Sequence, residues 1–268
     1  MIRRISVKLV TKNKTPRPSS NWGYALYGAM MERLPSEIAD ALHEREHPIL
    51  SQYLSVDRDA GFCVWNVTLL GDAPAGILDF LLKNREYPLE KNGAVLEAAG
   101  FEVSPEITER ELCLKYLAET PPERFAAMRF VTPCSFKSAG EYATLPTKEW
   151  ILRSCVNRWN AVSKTTKIDD EQAVADIVGH TRITGHNLRS VSYVMKKVGI
   201  PSFVGYVILS ARGPETLLRL FNLLTAFGGY CGIGIKTALG MGGVEVTLGR
   251  QSELRPVVVG LSAADKTT

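Results

Sequence analysis

The fold is decided by the stretch Gly228-Gly229-Tyr230-Cys231-Gly232-Ile233-Gly234-Ile235-Lys236-Thr237-Ala238-Leu239-Gly240-Met241-Gly242-Gly243, which is followed by Val244-Glu245-Val246. It leaves an apolar, helix-like run at residues 214–227 and enters a strand whose apolar residues alternate. Glycine accepts positive φ and has no side chain to hold a ligand away, so main-chain amides can converge on an anion, and Lys236 adds a positive charge. The stretch therefore predicts an anion-binding loop between the last helix and the last strand of an α+β module.

Two familiar nucleotide-binding loops do not match this stretch. A Walker loop has glycine directly before its lysine, where this chain has Ile235, and a dinucleotide fingerprint has glycine at the position of Thr237. Both of those loops also run from a strand into a helix, whereas this one runs from a helix into a strand. A glycine-rich connection shaped by packing alone stays open as the alternative.

The same order of elements, β-α-β-β-α-β, is predicted twice. In the first half, strands are predicted at residues 5–9, 50–56, 62–69 and 94–103, with helices capped by Ser20 and Ser36 and a third helix at 74–84. In the second half, strands are predicted at 125–131, within 183–195, at 203–209 and at 244–248, with helices at 147–162 and 214–227. We therefore predict an α+β fold of two tandem ferredoxin-like (RRM-like) modules, at residues 1–115 and 120–250, with a tail at 251–268. Residues 164–186 are polar and are expected to form an exposed excursion.

Composition limits the class of protein. With 268 residues, 45% of them hydrophobic, the chain can bury a substantial core, and its net charge of +4 permits a nucleic-acid partner without demanding one. Five cysteines without a close pair fit neither a disulfide framework nor a zinc ribbon. The sequence shows neither the pattern of a signal peptide nor an unbroken apolar run of membrane-spanning length. The expectation is a cytoplasmic protein that does not contact a membrane.

Positive charge clusters in the second half of the chain. The helix predicted at 147–162 has apolar residues at core spacing, and Arg153, Asn157, Asn160 and Lys164 form a stripe on its opposite side. Further cationic or hydrogen-bonding residues follow at Lys167, Arg182, His186, Arg189, Lys196 and Lys197. An ordinary solvated face explains any one of these residues, but as a group beside the glycine-rich stretch they favour RNA as the partner.

The first half contains His43-Glu44-Arg45-Glu46-His47, which matches the zinc-peptidase pattern H-E-x-x-H. Pro48 ends the helix directly after the second histidine, the intervening residues are charged, and no third ligand follows at short range, so we predict no metal site. A pair of exposed histidines at a helix end is the ordinary interpretation. A third interpretation is acid–base chemistry, since histidine near its ordinary pKa of about 6.5 both takes and gives protons, as RNA scission by an internal 2′-hydroxyl requires.

Taken together, Gly232-Ile233-Gly234 and Gly240-Met241-Gly242 before the last strand, with Tyr27 and Leu42-His43-Glu44 in the first module, resemble the CRISPR-associated endoribonucleases of the Cas-six family. The resemblance spans nearly the whole chain. It implies an enzyme that cuts the long CRISPR transcript within each repeat, without metal or cofactor, and leaves a 2′,3′-cyclic phosphate and a 5′-hydroxyl. The implied partner is CRISPR repeat RNA, with other CRISPR effector subunits and a homodimer left open.

The resemblance also implies roles for single residues. It makes His43 the general acid or base and Tyr27 a partner that orients or protonates. Family members often carry a lysine shortly after the histidine, and this chain has Ile49 near that position, so Arg45 or His47 is expected to stabilise the pentacovalent phosphate instead. Repeat binding is assigned to Gly232, Gly234, Lys236, Gly240 and Gly242, together with Arg153, Arg158 and Lys164. Two alternatives remain: a non-catalytic repeat-binding scaffold of the same fold, and a zinc peptidase built on His43, Glu44 and His47.

Overall fold

The fold is described from a computed structural model, which describes residues 1–12, 16–43, 48–57 and 61–250. The elements of the first half are β1 (Ile2–Thr11), α1 (Gly23–Met31), α2 (Ser36–His43), β2 (Leu50–Asp57), β3 (Phe62–Leu70), α3 (Ala75–Lys83), β4 (Glu86–Leu89) and β5 (Ala94–Val103). A connecting helix, α4 (Glu109–Cys113), continues as a π-helical segment at Leu114–Glu119. The second half comprises β6 (Phe125–Cys134), β7 (Phe136–Ser138), β8 (Glu141–Ala143), α5 (Lys148–Val162), α6 (Glu171–His180), β9 (Thr181–Met195), β10 (Val198–Ala211), α7 (Glu215–Cys231) and β11 (Val244–Gly249).

The first module is an antiparallel sheet in the order β2-β3-β1-β5-β4. Strict alternation in β1 turns Ile5, Val7 and Leu9 to one face, where all three are fully buried among the helices and Trp65. Without the short β4, the order is that of a ferredoxin-like module, with the first strand central and joined to the third and the last.

The second module repeats this arrangement as an antiparallel sheet in the order β11-β6-β10-β9. Helices α5 and α7 pack on one face of it, and the ring of Trp159 on α5 meets that of Phe227 on α7 edge to face, with their centroids 5.1 Å apart. The predicted fold class, two tandem ferredoxin-like modules, is therefore confirmed.

Some local predictions were wrong. The cap before α1 is Ser19, whose side chain accepts from the amide of Asn21, and Ser20 instead begins a short 3-10 turn. The interval 164–186 is not a plain exposed excursion, because it contains α6, whose Val174 and Ile177 are buried against α5 and α7. Strand β4 was not predicted.

The two modules are joined by α4. Thr108 caps this helix in a reciprocal capping box with Glu111. The strands of the first sheet end at Val103, and those of the second begin at Phe125. The predicted boundaries of the two modules, at residues 1–115 and 120–250, stay a prediction. Within the described ranges, no helix is both long and apolar enough to span a membrane.

Candidate nucleic-acid interface and active site

The glycine-rich loop, defined here as residues 232–243, leaves α7 and turns back into β11. Five of its residues, Gly232, Gly234, Lys236, Gly240 and Gly242, have positive φ. At Gly242 a Cβ atom would also overlap the carbonyl oxygen of Ile233, so no other residue fits there without moving the backbone. The four glycines with positive φ are thus required by the path of the chain itself.

Most amides of the glycine-rich loop are already used within the protein. The amide of Gly232 donates to the carbonyl of Gly228 at 2.9 Å, that of Gly234 to Ser154 Oγ at 2.9 Å, and that of Gly242 to the carbonyl of Pro133 at 2.9 Å. These three glycines therefore do not offer the open donors that the sequence suggested. Their structural role is to seat the loop against β6 and α5.

The open donors lie in the middle of the loop. Thr237–Leu239 form a 3-10 turn, and among the described residues the amides of Lys236, Thr237 and Ala238 have no hydrogen-bond acceptor. Lys236 is half-buried with φ of 55° and leads into the turn, while Thr237 and Ala238 are 3% and 7% exposed. Three successive amides and the ammonium group of Lys236 are therefore the candidate anion-binding groups of the loop.

This turn contacts the first module. Gly240, at its end, lies against Gly23, the first residue of α1, and a Cβ on Gly240 would stand 3.0 Å from the Cα of Gly23. Four residues along α1, Tyr27 is half-buried with burial raising the pKa of its phenol, so the hydroxyl stays protonated at neutral pH. The loop of one module and the helix that carries Tyr27 in the other are thus in direct contact.

His43 is the last residue of α2, and its side chain lies outside the described part of the chain. Glu44, Arg45 and His47 also lie outside the described residues, so the H-E-x-x-H pattern stays a sequence observation. In the ranges that are described, no group of three or more histidine, cysteine, aspartate or glutamate side chains is placed to hold a metal ion.

The three cations predicted on and after α5 do not form one open surface. Arg153 pairs with Glu149 at 3.1 Å and Glu171 at 3.2 Å, and Lys164 pairs with Asp72 at 2.8 Å. Arg158 is only 7% exposed, and burial lowers the pKa of its guanidinium.

Of these cations, Arg158 lies beside Cys231, where α7 ends and the glycine-rich loop begins. Its Nε and Nη2 atoms have no acceptor in the described structure. The negative end of the α7 dipole is the environment that favours a buried cation at this point.

Exposed cationic and hydrogen-bonding side chains lie instead on the hairpin of β9 and β10. β9 is an edge strand of its sheet, and exposed side chains follow it at Arg182, His186 and Arg189 to the turn at Lys196 and Lys197. Both lysines have positive φ, and none of the five side chains has an ion-pair partner in the described ranges. These five exposed and unpaired side chains, called the hairpin row here, offer a phosphate backbone more open polar groups than the α5 stripe does, with His186 and Arg189 on opposite faces of the sheet.

Sequence reasoning missed Arg4, which joins the two modules. Its Nη2 donates to the carbonyl of Gly229, its Nε donates to Thr68 Oγ1 at 3.2 Å, and its guanidinium lies 5.3 Å from the centroid of the Tyr230 ring. Arg4 also lines a cavity of about 510 Å³ between the modules, together with Lys115, Tyr116 and Asn222. The signal was present in the alternation of β1, which puts Arg4 on the face opposite Ile5 and Val7.

Comparison with known proteins gives one family and one fold. Residues 128–244, which include the glycine-rich loop, match the family model described as CRISPR-associated endoribonuclease Cas6. A protein of that name from Streptococcus thermophilus is 25% identical over 242 residues, 89% of this chain and 97% of the relative. A second, from Mycobacterium tuberculosis, is 24% identical over 84% of this chain and 71% of the relative.

Solved structures agree in fold. A Cas6 product complex superposes with a TM-score of 0.75 at 22% identity, over 92% of this chain and 100% of that one. Thermus thermophilus Cas6 gives 0.66 at 22% identity, over 92% and 98% of the two chains. A Cas6-related protein from Pyrococcus furiosus gives 0.57 at 14% identity, over 92% and 99%.

Proposed function

We propose, from the premise that this chain is related to the Cas6 family of CRISPR-associated endoribonucleases, that it cleaves CRISPR precursor transcripts within the repeat. Two kinds of similarity support the proposal. Relatives that bear the name endoribonuclease align along 89% and 84% of the chain, and solved neighbours of the same fold include product and substrate-mimic complexes. The substrate proposed for this chain is therefore repeat RNA.

The observation that carries the proposal is the contact between the glycine-rich loop and α1. The loop offers three successive amides and Lys236, and it lies against the first turn of the helix that carries Tyr27. An RNA phosphate held by the loop would thus lie beside a helix that carries a protonated phenol. Holding one phosphodiester beside catalytic groups is the main requirement for a cleavage that uses the substrate's own nucleophile.

The proposed reaction is an internal transfer. The 2′-oxygen attacks the adjacent phosphorus, the bond from phosphorus to the 5′-oxygen of the next nucleotide breaks, and the products are a 2′,3′-cyclic phosphate and a 5′-hydroxyl. One proton leaves the 2′-hydroxyl and another is given to the leaving 5′-oxygen, and no metal takes part in the step.

In this proposal His43 is the general acid or base and Tyr27 orients or protonates. Arg45 or His47 stabilises the charge that builds on the phosphate, and Lys236 adds to this from the loop. The hairpin row binds the flanking RNA and selects which phosphodiester reaches the site. Assembly with other CRISPR subunits or as a homodimer is compatible with this role.

The test is cleavage of the repeat RNA from the protein's own genome in excess chelator, with analysis of the product ends. We expect one cut per repeat, a cyclic phosphate, and loss of cleavage in His43→Ala with binding retained. Tight binding without cleavage by the wild-type protein would instead identify a repeat-binding scaffold. Stoichiometric zinc and peptidase activity that chelation abolishes would identify a metallopeptidase.

A further inference from the structure

Gln52 lies where the two modules meet, and every polar atom of its side chain forms a hydrogen bond. It is 1% exposed on β2, and its Nε2 donates to the carbonyl of Gly23 at 2.9 Å and to that of Ala238 at 3.1 Å. Its Oε1 accepts from the indole Nε1 of Trp65 at 2.8 Å. An indole N–H only donates and a carbonyl only accepts, so the amide has one orientation that satisfies all three partners.

The two carbonyls that Gln52 binds belong to the two halves of the candidate site. Ala238 is in the 3-10 turn of the glycine-rich loop, and its amide is one of the three that have no acceptor. Gly23 begins α1, and in a helix that starts there the carbonyl of Gly23 accepts from the amide of Tyr27. One buried side chain therefore bridges the turn of the loop and the first turn of the helix that carries Tyr27.

The surrounding contacts leave this bridge little freedom. The backbones of Gly23 and Gly240 are in close contact. A Cβ on Gly23 would stand 3.1 Å from the Cα of Gly240 and 3.3 Å from Gln52 Oε1. Trp65 is fully buried and packs edge to face on Tyr87, with 5.4 Å between ring centroids, which fixes the indole donor.

We propose that Gln52 is a positioning residue, which keeps the phosphate held by the glycine-rich loop in register with the catalytic groups of the first module. The proposal rests on the endoribonuclease function proposed above. Gln52 touches neither RNA nor the reacting atoms, so its effect is on the alignment of the phosphodiester and not on the strength of RNA binding. A shift of about 1 Å between reacting groups lowers a rate by about 100-fold.

The variants are Gln52→Glu and Gln52→Leu. Gln52→Glu keeps the size and the acceptor for Trp65 but turns an oxygen toward the carbonyls of Gly23 and Ala238, whereas Gln52→Leu removes all three hydrogen bonds. The control is Ile77→Ala on α3, which removes a fully buried side chain from the core of the same module. It separates general loss of stability from loss of the bridge.

Three quantities are measured at a temperature where all variants are folded: the single-turnover cleavage rate at saturating repeat RNA, the Kd for a repeat with a 2′-deoxy scissile nucleotide, and the position of the cut. We expect both Gln52 variants to cleave about 10- to 100-fold more slowly with a Kd within about 3-fold of wild type and with additional cut positions. Rates within about 3-fold of wild type, or an equal loss in Ile77→Ala, would overturn the proposal.

Hydrogen exchange separates this proposal from the function on which it rests. In Gln52→Leu, the hydrogen-bonded amides of two segments, that of Leu239, which donates to the carbonyl of Lys236 in the loop, and that of Tyr27 in the first turn of α1, are expected to exchange faster than in wild type and in Ile77→Ala. If the wild-type protein does not cleave, the proposed function fails and exchange alone decides whether the bridge exists. Unchanged exchange in both segments would refute the bridge whatever the cleavage result.

Discussion

The phenol of Tyr193 donates a hydrogen bond of 2.6 Å to the carbonyl of Leu239, which joins β9 to the glycine-rich loop. Tyr193 is fully buried, and the exposed cations of the β9–β10 hairpin lie on the same strand before it and at the turn just after it. This hydrogen bond fixes the position of the hairpin row relative to the open amides of the loop. Both belong to the second module, which Gln52 joins to the first.

We expect Tyr193→Phe to lower the free energy of unfolding by about 0.5–1.5 kcal/mol, since it removes this hydrogen bond and keeps the ring. Repeat affinity should fall at the same time, because the hairpin and the loop no longer share a fixed position. Urea unfolding and RNA binding are the measurements, with Tyr142→Phe on exposed β8 as the control. Equal stability of Tyr193→Phe and wild type would contradict the assigned bond.

The pH dependence of stability should depend on Glu109. Burial acts to raise the pKa of this carboxyl, but hydrogen bonds from Ser163, Lys164, Thr165 and Thr166 outweigh it and lower the pKa to about 2. The folded-state pKa lies below the unfolded value, so the stabilisation is fully present above the unfolded pKa and is lost as pH falls through about 2.

Glu109→Gln should therefore be less stable than wild type at pH 7 and should lose less stability between pH 5 and pH 2. Urea midpoints across this range check the prediction, with Glu119→Gln at an exposed position nearby as the control. Parallel pH profiles for wild type and Glu109→Gln would show that these hydrogen bonds do not form in solution.

Lys236 should contribute to the salt dependence of repeat binding. If its ammonium group contacts one phosphate, Lys236→Met lowers the slope of log affinity against log salt by about 1. Lys83→Met, on α3 and paired with Asp79, is the control and should leave the slope unchanged. A slope for Lys236→Met equal to that of wild type would remove Lys236 from the RNA interface.

Much of the fold follows from local pattern. The alternation in β1 and the helical spacing of Leu152, Cys155 and Trp159 in α5 reflect burial of one face, and burial is what a sequence records most directly. Helix α6 was missed because Asp169, Asp170 and Glu171 dominate its start. Its signal was Asp170 itself, whose side chain caps the helix before the buried pair Val174 and Ile177.

The candidate site was less accessible to such reasoning. The sequence located the glycine-rich loop, but which amides stay open depends on Pro133 and Ser154, which lie about 80 to 110 residues earlier in the chain and whose position follows only from the packed sheet and helix. Gln52 did carry a local signal, since it lies between Leu50 and Leu54 on the same face of β2, in a stretch that is buried throughout residues 50–54. A glutamine at such a position requires buried partners, although the sequence does not say which.

A substitution at Tyr27 should change the rate of RNA cleavage without changing the affinity for RNA. Its phenol is half-buried, burial raises its pKa, and the described structure gives it no hydrogen-bond partner, so it is free to donate to a bound RNA. Tyr27→Phe keeps the packing of the ring and removes only the donor. We expect single-turnover cleavage to slow by about 10²-fold or more with Kd unchanged, a loss typical of one acid–base group.

Because the phenol stays protonated up to its raised pKa, that loss should be the same at pH 6 and pH 8. Tyr142→Phe is again the matched control. A loss that grows steadily between those pH values would mean that Tyr27 acts through another titrating group and not as the proton donor itself.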